Sequence, residues 1–209
     1  LERLKKAKHP VGIRVNLNVK IDSHWDKKFN RYGFSEDDLI KLGKIRNLQV
    51  LHYHVSSQIE SIDGMTKPLK RAIELYAKMR EKNPGLDTID MGGGAAVPYE
   101  KRKKLYSTRG LIKEIVSTAK AHSEKMGVRH PNLITEWGRY VSAPAQITIY
   151  KVLAEKPADN KGNNIWYVID GSFMNDLLDT WAIHQRWHVT PVNQMGAKRL
   201  AKVWMAGSS

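Results

Sequence analysis

The 209-residue chain contains no cysteine, which excludes a disulfide framework and any thiolate-ligated metal site. It has no apolar run long enough to span a bilayer. Its first residues, Leu1-Glu-Arg-Leu-Lys-Lys-Ala-Lys8, are neither a signal peptide nor an initiator-methionine start. These absences lead us to expect a cytoplasmic protein whose N-terminal part lies outside the sequence. Acid is scarce as well: 21 Asp and Glu stand against 35 Lys and Arg, a formal net charge of +14. Such a charge raises nucleic acid or a membrane surface as partners. The cations are spread along the chain, however, with Lys101-Arg-Lys-Lys104 the one tight run and no basic motif interleaved with aromatics. A solvated basic face is the simpler reading, and neither partner is carried forward. Internal repeats and low-complexity tracts are also missing. What remains, 41% hydrophobic and 27% charged residues, is ordinary globular composition in a length fit for one large domain or two small ones.

Periodicity divides the chain in two. Val11 to Val19 alternates at period two, with Arg14, Asn16 and Asn18 on one face, as a barrel strand facing a polar site would, or any half-exposed strand. Ile21 to Phe34 reads as a loop. Ser35-Glu-Asp-Asp38 is a capping-box-like start to a helix carrying Leu39, Ile40, Leu42 and Ile45. A strand over Leu48–Val55, a helix over Thr66–Lys82 stopped by Asn83-Pro-Gly85, and a strand over Leu86–Met91 follow. Leu111, Ile112, Ile115, Val116 and Ala119 predict a third helix capped by Thr108, and Asn132–Thr135 a fourth strand. This is a βα repeat, hence a parallel sheet. From about Ala143 the pattern turns β-rich, with strands over Gln146–Leu153 and Ile165–Ile169, a polar loop over Pro157–Asn164, and a last strand over Leu200–Met205. A complete (β/α)8 barrel takes about 250 residues, and four βα-type strands do not fill one.

Polar residues collect at the C-terminal strand ends, where both barrels and doubly wound sheets build their sites. Gly92, Gly93 and Gly94 follow Asp90 and Met91 directly. Such a turn is either a flexible connection or a phosphate cradle made of backbone N–H groups. His52 and His54 point to one face of their strand. They are one buried and one strand-end histidine, or the beginning of a metal site that would need further ligands. Glu136 and Arg139 are an ordinary ion pair at a loop start, or a carboxylate for a protonated ring nitrogen beside a phosphate-binding guanidinium.

Together, a phosphate nest, a histidine able to stack on a ring, a serine donor and a carboxylate suit pyridoxal phosphate. The ordered stretches Arg31-Tyr-Gly-Phe-Ser35, Leu51-His-Tyr-His-Val-Ser-Ser-Gln58, Asp90-Met-Gly-Gly-Gly94 with Tyr99, and Ile134-Thr-Glu-Trp-Gly-Arg139 resemble the pyridoxal-phosphate-dependent decarboxylases of the alanine-racemase-like barrel. Asp179-Thr-Trp-Ala-Ile-His-Gln185 followed by Pro191 is similar to a segment typical of the arginine decarboxylase branch. The resemblance implies an α/β fold, with a partial (β/α)8 alanine-racemase-like barrel over residues 1–142 and the start of a β-rich domain over 143–209. It implies that His54 stacks on the cofactor ring, that Ser57, Gly92, Gly93 and Gly94 bind the phosphate, and that Glu136 pairs with the ring nitrogen, Arg139 supporting either group. Asp90 and Tyr99 fall in the stretch associated with substrate. The implied reaction converts L-arginine to agmatine and CO2 for polyamine (putrescine and spermidine) biosynthesis, in a homo-oligomer with sites at subunit interfaces. The resemblance also admits Mg2+.

Departures from the family pattern matter too. The cofactor-attaching lysine and a C-terminal cysteine motif are expected outside these residues, so no catalytic residue is assigned within them. The family's helical insertion is reduced to the Pro157–Asn164 loop. Ser56 replaces a glycine, which predicts strain if its φ is positive. Ala95, Ala96, Pro98 and His184 replace other family residues and put substrate affinity in question. Two further readings therefore stay open: a non-catalytic relative that binds a phosphorylated ligand or regulates an intact decarboxylase, and a metal-dependent barrel hydrolase using His52 and His54.

Overall fold

In the computed structural model, which describes residues 6–21, 31–99, 105–158, 164–198 and 203–208, the period-two pattern starting at Val11 becomes a strand, β1 (Val11–Asn16). Ile13, Val15 and Leu17 are buried, and Arg14 and Asn16 lie half-buried on the other face. The strand stops three residues short of Val19, because the Asn18 N–H leaves the ladder and donates to Glu36 Oε1 (2.8 Å). Residues 22–30 of the expected loop lie outside the described residues. The loop's end supplies a short strand the sequence did not announce, β2 (Phe34–Ser35), parallel to β1.

Ser35 also caps helix α1 (Glu36–Leu42), its hydroxyl accepting the Asp38 N–H at 3.1 Å, and the acidic first turn complements the helix dipole. Next come β3 (Leu48–His52), α2 (Ile62–Arg80), β4 (Thr88–Asp90), α3 (Thr108–Lys125), β5 (Asn132–Ile134) and the one-turn α4 (Gly138–Ser142). Helix α2 starts four residues before the expected Thr66. Ser61 caps it through the Gly64 N–H (3.1 Å), leaving Pro68 inside the helix rather than at its start. Helix α3 is capped by Ser107, not Thr108, with Ser107 Oγ accepting the Gly110 N–H at 3.0 Å. Thr108 instead bonds the Tyr140 hydroxyl.

The five strands are all parallel, in the order β2-β1-β3-β4-β5. Ile13, Leu51, Tyr53, Ile89 and Met91 join Leu39 of α1, Leu69, Ile73 and Tyr76 of α2, and Leu111 and Ile115 of α3 in a single apolar cluster. Each fully buried aliphatic side chain there contributes about 1.5–3 kcal/mol. All three longer helices thus cover the same sheet face, while the opposite face presents Arg14, Asn16, His52 and Asp90. A doubly wound sheet buries both faces under helices. One covered face and one polar face make this sheet the wall of a barrel.

This wall lies within one compact unit, Leu1–Val97 with Lys104–Ala143; Pro98–Lys103 and Pro144–Ser209 make up a second. In the second unit β6 (Val152–Pro157) pairs antiparallel with β7 (Ile165–Ile169), which pairs parallel with β8 (Val203–Ala206). The expected strand over Gln146–Leu153 is displaced. Ile147 and Ile149 alternate as a strand would, but they are 84% and 65% exposed, and residues 146–151 lie in no strand. Two one-turn helices that apolar periodicity could not reveal, α5 (Phe173–Asp176) and α6 (Asp179–Ala182), follow β7. The Lys101–Lys104 run, residues 159–163 of the polar loop and residues 200–202 of the last strand lie outside the described residues. Among the described residues no helix is long and apolar enough to cross a membrane.

Candidate functional site

Parallel register lines the polar face up in rungs. Arg14 of β1, His52 of β3, Asp90 of β4 and Ile134 of β5 stand side by side. One step further along the chain, the Glu136 N–H donates to Gly92 O at 2.8 Å. The next rung therefore runs His54, Gly92, Glu136, and at its centre Gly92 contributes no side chain.

That gap is imposed by packing. Gly92 has φ +66, and a Cβ there would lie 2.5 Å from Tyr53 O and 2.9 Å from His54 Cβ. A Cβ on Gly94, at φ +118, would meet Ser56 O at 2.7 Å. Gly93 has an ordinary φ, but its Cβ would come within 3.0 Å of Glu136 O. The three glycines are thus a close approach of two loops, and the free-turn alternative does not describe them.

The loops are joined rung by rung. Tyr53 N–H donates to Asp90 O and Ile59 N–H to Gly94 O, both at 2.9 Å. Gln58 makes a reciprocal pair with the Val97 backbone, accepting its N–H at 2.8 Å and donating to its carbonyl at 3.1 Å. The Tyr106 hydroxyl accepts the Ala96 N–H and donates to Ile59 O, each at 2.8 Å. Gln58, at φ +52, carries the left-handed residue of this loop. Ser56 is not among the positive-φ residues, so the strain expected of it does not arise.

Two of the three glycine N–H groups are already committed. Gly92 N–H donates to Asp90 Oδ1 at 2.9 Å, and Gly93 N–H to His54 Nδ1 at 3.1 Å. Among the described residues the Gly94 N–H has no hydrogen-bond acceptor, and the half-buried Ser57 hydroxyl has no partner. An anion cradle here would be made by those two groups, narrower than three glycine amides. Asp90 caps the turn.

The Gly93 bond fixes the imidazole of His54. Accepting at Nδ1, the ring is neutral and carries its proton on Nε2. Burial lowers the His54 pKa from its ordinary value, Arg14 and His52 lower it further, and Glu136 pulls the other way. Beneath, the Tyr53 phenol is pushed far up, first by burial and then by the Asp90 charge. The Glu136 side chain is 56% exposed, and its Oε2 lies 3.8 Å from His52 Nε2. His52, Asp90 and Glu136 each offer a ligand atom, all within 4.8 Å of one another. Their donor types could hold a divalent cation, with His54 outside the set. Arg139 is exposed in the first turn of α4. Tyr99 belongs to the second unit, where its ring meets Trp187 edge-on at 4.6 Å.

The structure thus brings His54, the three glycines, Asp90 and Glu136 onto one rim. The sequence reading missed the struts: Gln58, visible only as the end of a motif, and Tyr106, for which no local signal exists.

Comparison with known proteins bears on this geometry. A family model described as "Pyridoxal-dependent decarboxylase, pyridoxal binding domain" matches residues 1–143. A biosynthetic arginine decarboxylase from Prochlorococcus marinus is 25% identical over 192 residues, covering 84% of this chain and 30% of the relative. A diaminopimelate decarboxylase from Methanocaldococcus jannaschii is 27% identical over 192 residues, 85% of this chain and 42% of the relative. The crystal structure of diaminopimelate decarboxylase from M. jannaschii in complex with L-lysine superposes with a TM-score of 0.77 at 23% identity, over 100% of this chain and 49% of that one. The chain therefore spans less than half the length of these relatives. Its fold is the partial alanine-racemase-like barrel followed by a β-rich region.

Proposed function

Because the chain belongs to the pyridoxal-dependent decarboxylase family over residues 1–143, we propose that it forms part of a pyridoxal-phosphate-dependent carboxy-lyase that converts L-arginine to agmatine and CO2. The observation that carries this reading is the His54–Gly92–Glu136 rung. An oriented neutral imidazole and a carboxylate flank a position where no Cβ fits. That donor set and that gap fit the cofactor: a face for the ring, an acceptor for its nitrogen, and the Gly94 N–H and Ser57 hydroxyl for an anion.

Pyridoxal phosphate, when bound, supplies an electron-poor ring that takes up the electron pair left when CO2 departs. The chain's own residues hold and tune it. His54, kept neutral, lays an imidazole face against the ring without adding a second positive charge. Glu136 accepts the ring N–H and keeps the proton on that nitrogen. Gly94 N–H and Ser57, with Gly92 and Gly93 shaping the turn, bind the phosphate, and Arg139 supplies positive charge to it or to Glu136. Asp90 faces the substrate in this reading. Residues 1–142 are the later part of the cofactor barrel and 143–209 the start of the β-domain. The enzyme is a cytoplasmic homo-oligomer acting in polyamine synthesis. Mg2+ gains no support in this reading, since it prefers oxygen ligands and the one cluster found among the described residues includes an imidazole nitrogen.

Diaminopimelate is the second substrate reading, favoured by the 27% identical relative. The Asp179–Gln185 segment supports arginine. It folds as a hook, with Gln185 N–H on Asp179 O at 3.0 Å and Trp187 Nε1 on Thr180 Oγ1 at 2.8 Å. The test is CO2 release by the protein in its full coding context, supplied with pyridoxal phosphate. Release from L-arginine and not from diaminopimelate is expected. The reverse preference would exchange the two substrates, and release from neither, with no cofactor bound, would overturn the reading.

A further inference from the structure

His52 is absorbed by none of the roles above, yet its surroundings are specific. Register places its side chain in the rung directly below His54, Gly92 and Glu136, beside Asp90. The side chain is 21% exposed, but its Nε2 atom is shielded from solvent and has no hydrogen-bond partner among the described residues. A buried nitrogen left in that condition is costly, and the nearest complementary group decides what it can do. Asp90 Oδ1 is already taken by the Gly92 N–H. Glu136 Oε2 is 3.8 Å away, on an exposed side chain free to approach.

We propose that His52 is a positioning residue for Glu136. Its Nε2–H takes one carboxylate oxygen, leaving the other turned toward the gap over Gly92. Glu136 lies two residues beyond the end of β5 with two oxygens on an exposed side chain. A donor fixed in the sheet beneath it removes that freedom. This inference rests on the reading of Glu136 as the partner of the cofactor's ring nitrogen. It adds that the site's preference for a protonatable ring nitrogen is set from below, by a residue that touches neither cofactor nor substrate. His52 and His54 then divide the labour of the His-x-His pair, one orienting the carboxylate and the other the ring face.

The test compares two ligands in binding titrations followed by protein fluorescence: pyridoxamine 5′-phosphate, which has no aldehyde to react with surface lysines, and its analogue with carbon in place of the ring nitrogen. The unaltered chain should prefer the nitrogen-bearing ligand by roughly tenfold or more, as one hydrogen bond to a charged group implies. His52→Leu should lose most of that preference, with affinity for the carbon analogue unchanged. His52→Gln, which keeps a donor, should retain it. Equal loss of affinity for both ligands in His52→Leu would make His52 merely structural and overturn the proposal. So would an unchanged preference. Glu136→Gln separates the two levels of inference. If the unaltered chain and Glu136→Gln show no preference at all, the reading of Glu136 itself fails. If Glu136→Gln abolishes a preference that His52→Leu leaves intact, only the role of His52 fails.

Discussion

Gly92→Ala should destabilise the barrel unit far more than Gly127→Ala, although the two glycines have nearly the same positive φ. Gly92 has φ +66 and Gly127, just after helix α3, has φ +65. Placing a Cβ in the left-handed region costs about 1–2 kcal/mol at either position. Their surroundings differ. At Gly127 a Cβ meets nothing within 4 Å, whereas at Gly92 it lies 2.5 Å from Tyr53 O and 3.0 Å from His54 Nδ1. Relieving that overlap means separating two hydrogen-bonded strand ends, an overpacking cost of about 1–3 kcal/mol more. Gly127→Ala is therefore expected to lose about 1–2 kcal/mol and Gly92→Ala about 2–5 kcal/mol, a large fraction of a typical domain's stability. Urea unfolding followed by circular dichroism at 222 nm measures this, since α2 and α3, with 19 and 18 residues, dominate the signal and belong to the unit holding both glycines. Equal losses in the two variants would refute the claim that close approach, rather than φ alone, demands glycine at position 92.

Three other outcomes follow from the same geometry. The neutral form of His54 is favoured in the folded state, so its contribution to stability is complete above its ordinary pKa of about 6.5 and is lost as pH falls from there toward the lowered folded value. The urea midpoint should drop over that window, and the drop should shrink in His54→Asn. Arg71 grips the buried Glu36 with two bonds, Nε to Oε1 at 3.2 Å and Nη2 to Oε2 at 2.5 Å. Arg71→Met should cost about 1–3 kcal/mol, tempered by the partial exposure of the guanidinium, and a double-mutant cycle with Glu36→Gln should show coupling above about 0.5 kcal/mol. Tyr106→Phe removes two bonds at once. It should cost about 1–3 kcal/mol and speed hydrogen exchange at the Ala96 amide without changing that of central α2.

The βα order, the polar face of β1 and the glycine turn were legible because each is written in local pattern. Alternation at Val11–Asn16, helical spacing in α1 to α3, and three consecutive glycines need no distant partner to be read. Helix starts were less so: α2 begins behind Ser61 rather than at Thr66, and Ser107 rather than Thr108 caps α3, because a capping hydroxyl must meet an N–H three residues on and several hydroxyls stand close together. The Gln146–Leu153 strand failed for another reason. Its alternation is real, but a strand exists only where a partner pairs with it. The sequence offered the glycine turn as a flexible connection or an anion cradle, while its internal commitments, Gly92 to Asp90 and Gly93 to His54, depend in the second case on loops 39 residues apart that neither segment reveals alone. The 3.8 Å approach of His52 to Glu136 is hidden in the same way.

Tyr106 gives the glycine turn one more property. It immediately precedes Ser107, the residue that caps α3, while its hydroxyl clasps Ala96 and Ile59. The turn and the end of the β3 loop are therefore joined through one hydroxyl, carried by the residue that adjoins the cap of an 18-residue helix. Pushing the turn outward pulls on the helix cap, and unwinding the cap slackens the turn. A rim built in this way behaves as a lever with its fulcrum in the helix layer, so substitutions on the outer surface of α3 have a mechanical route to the site without touching anything in it.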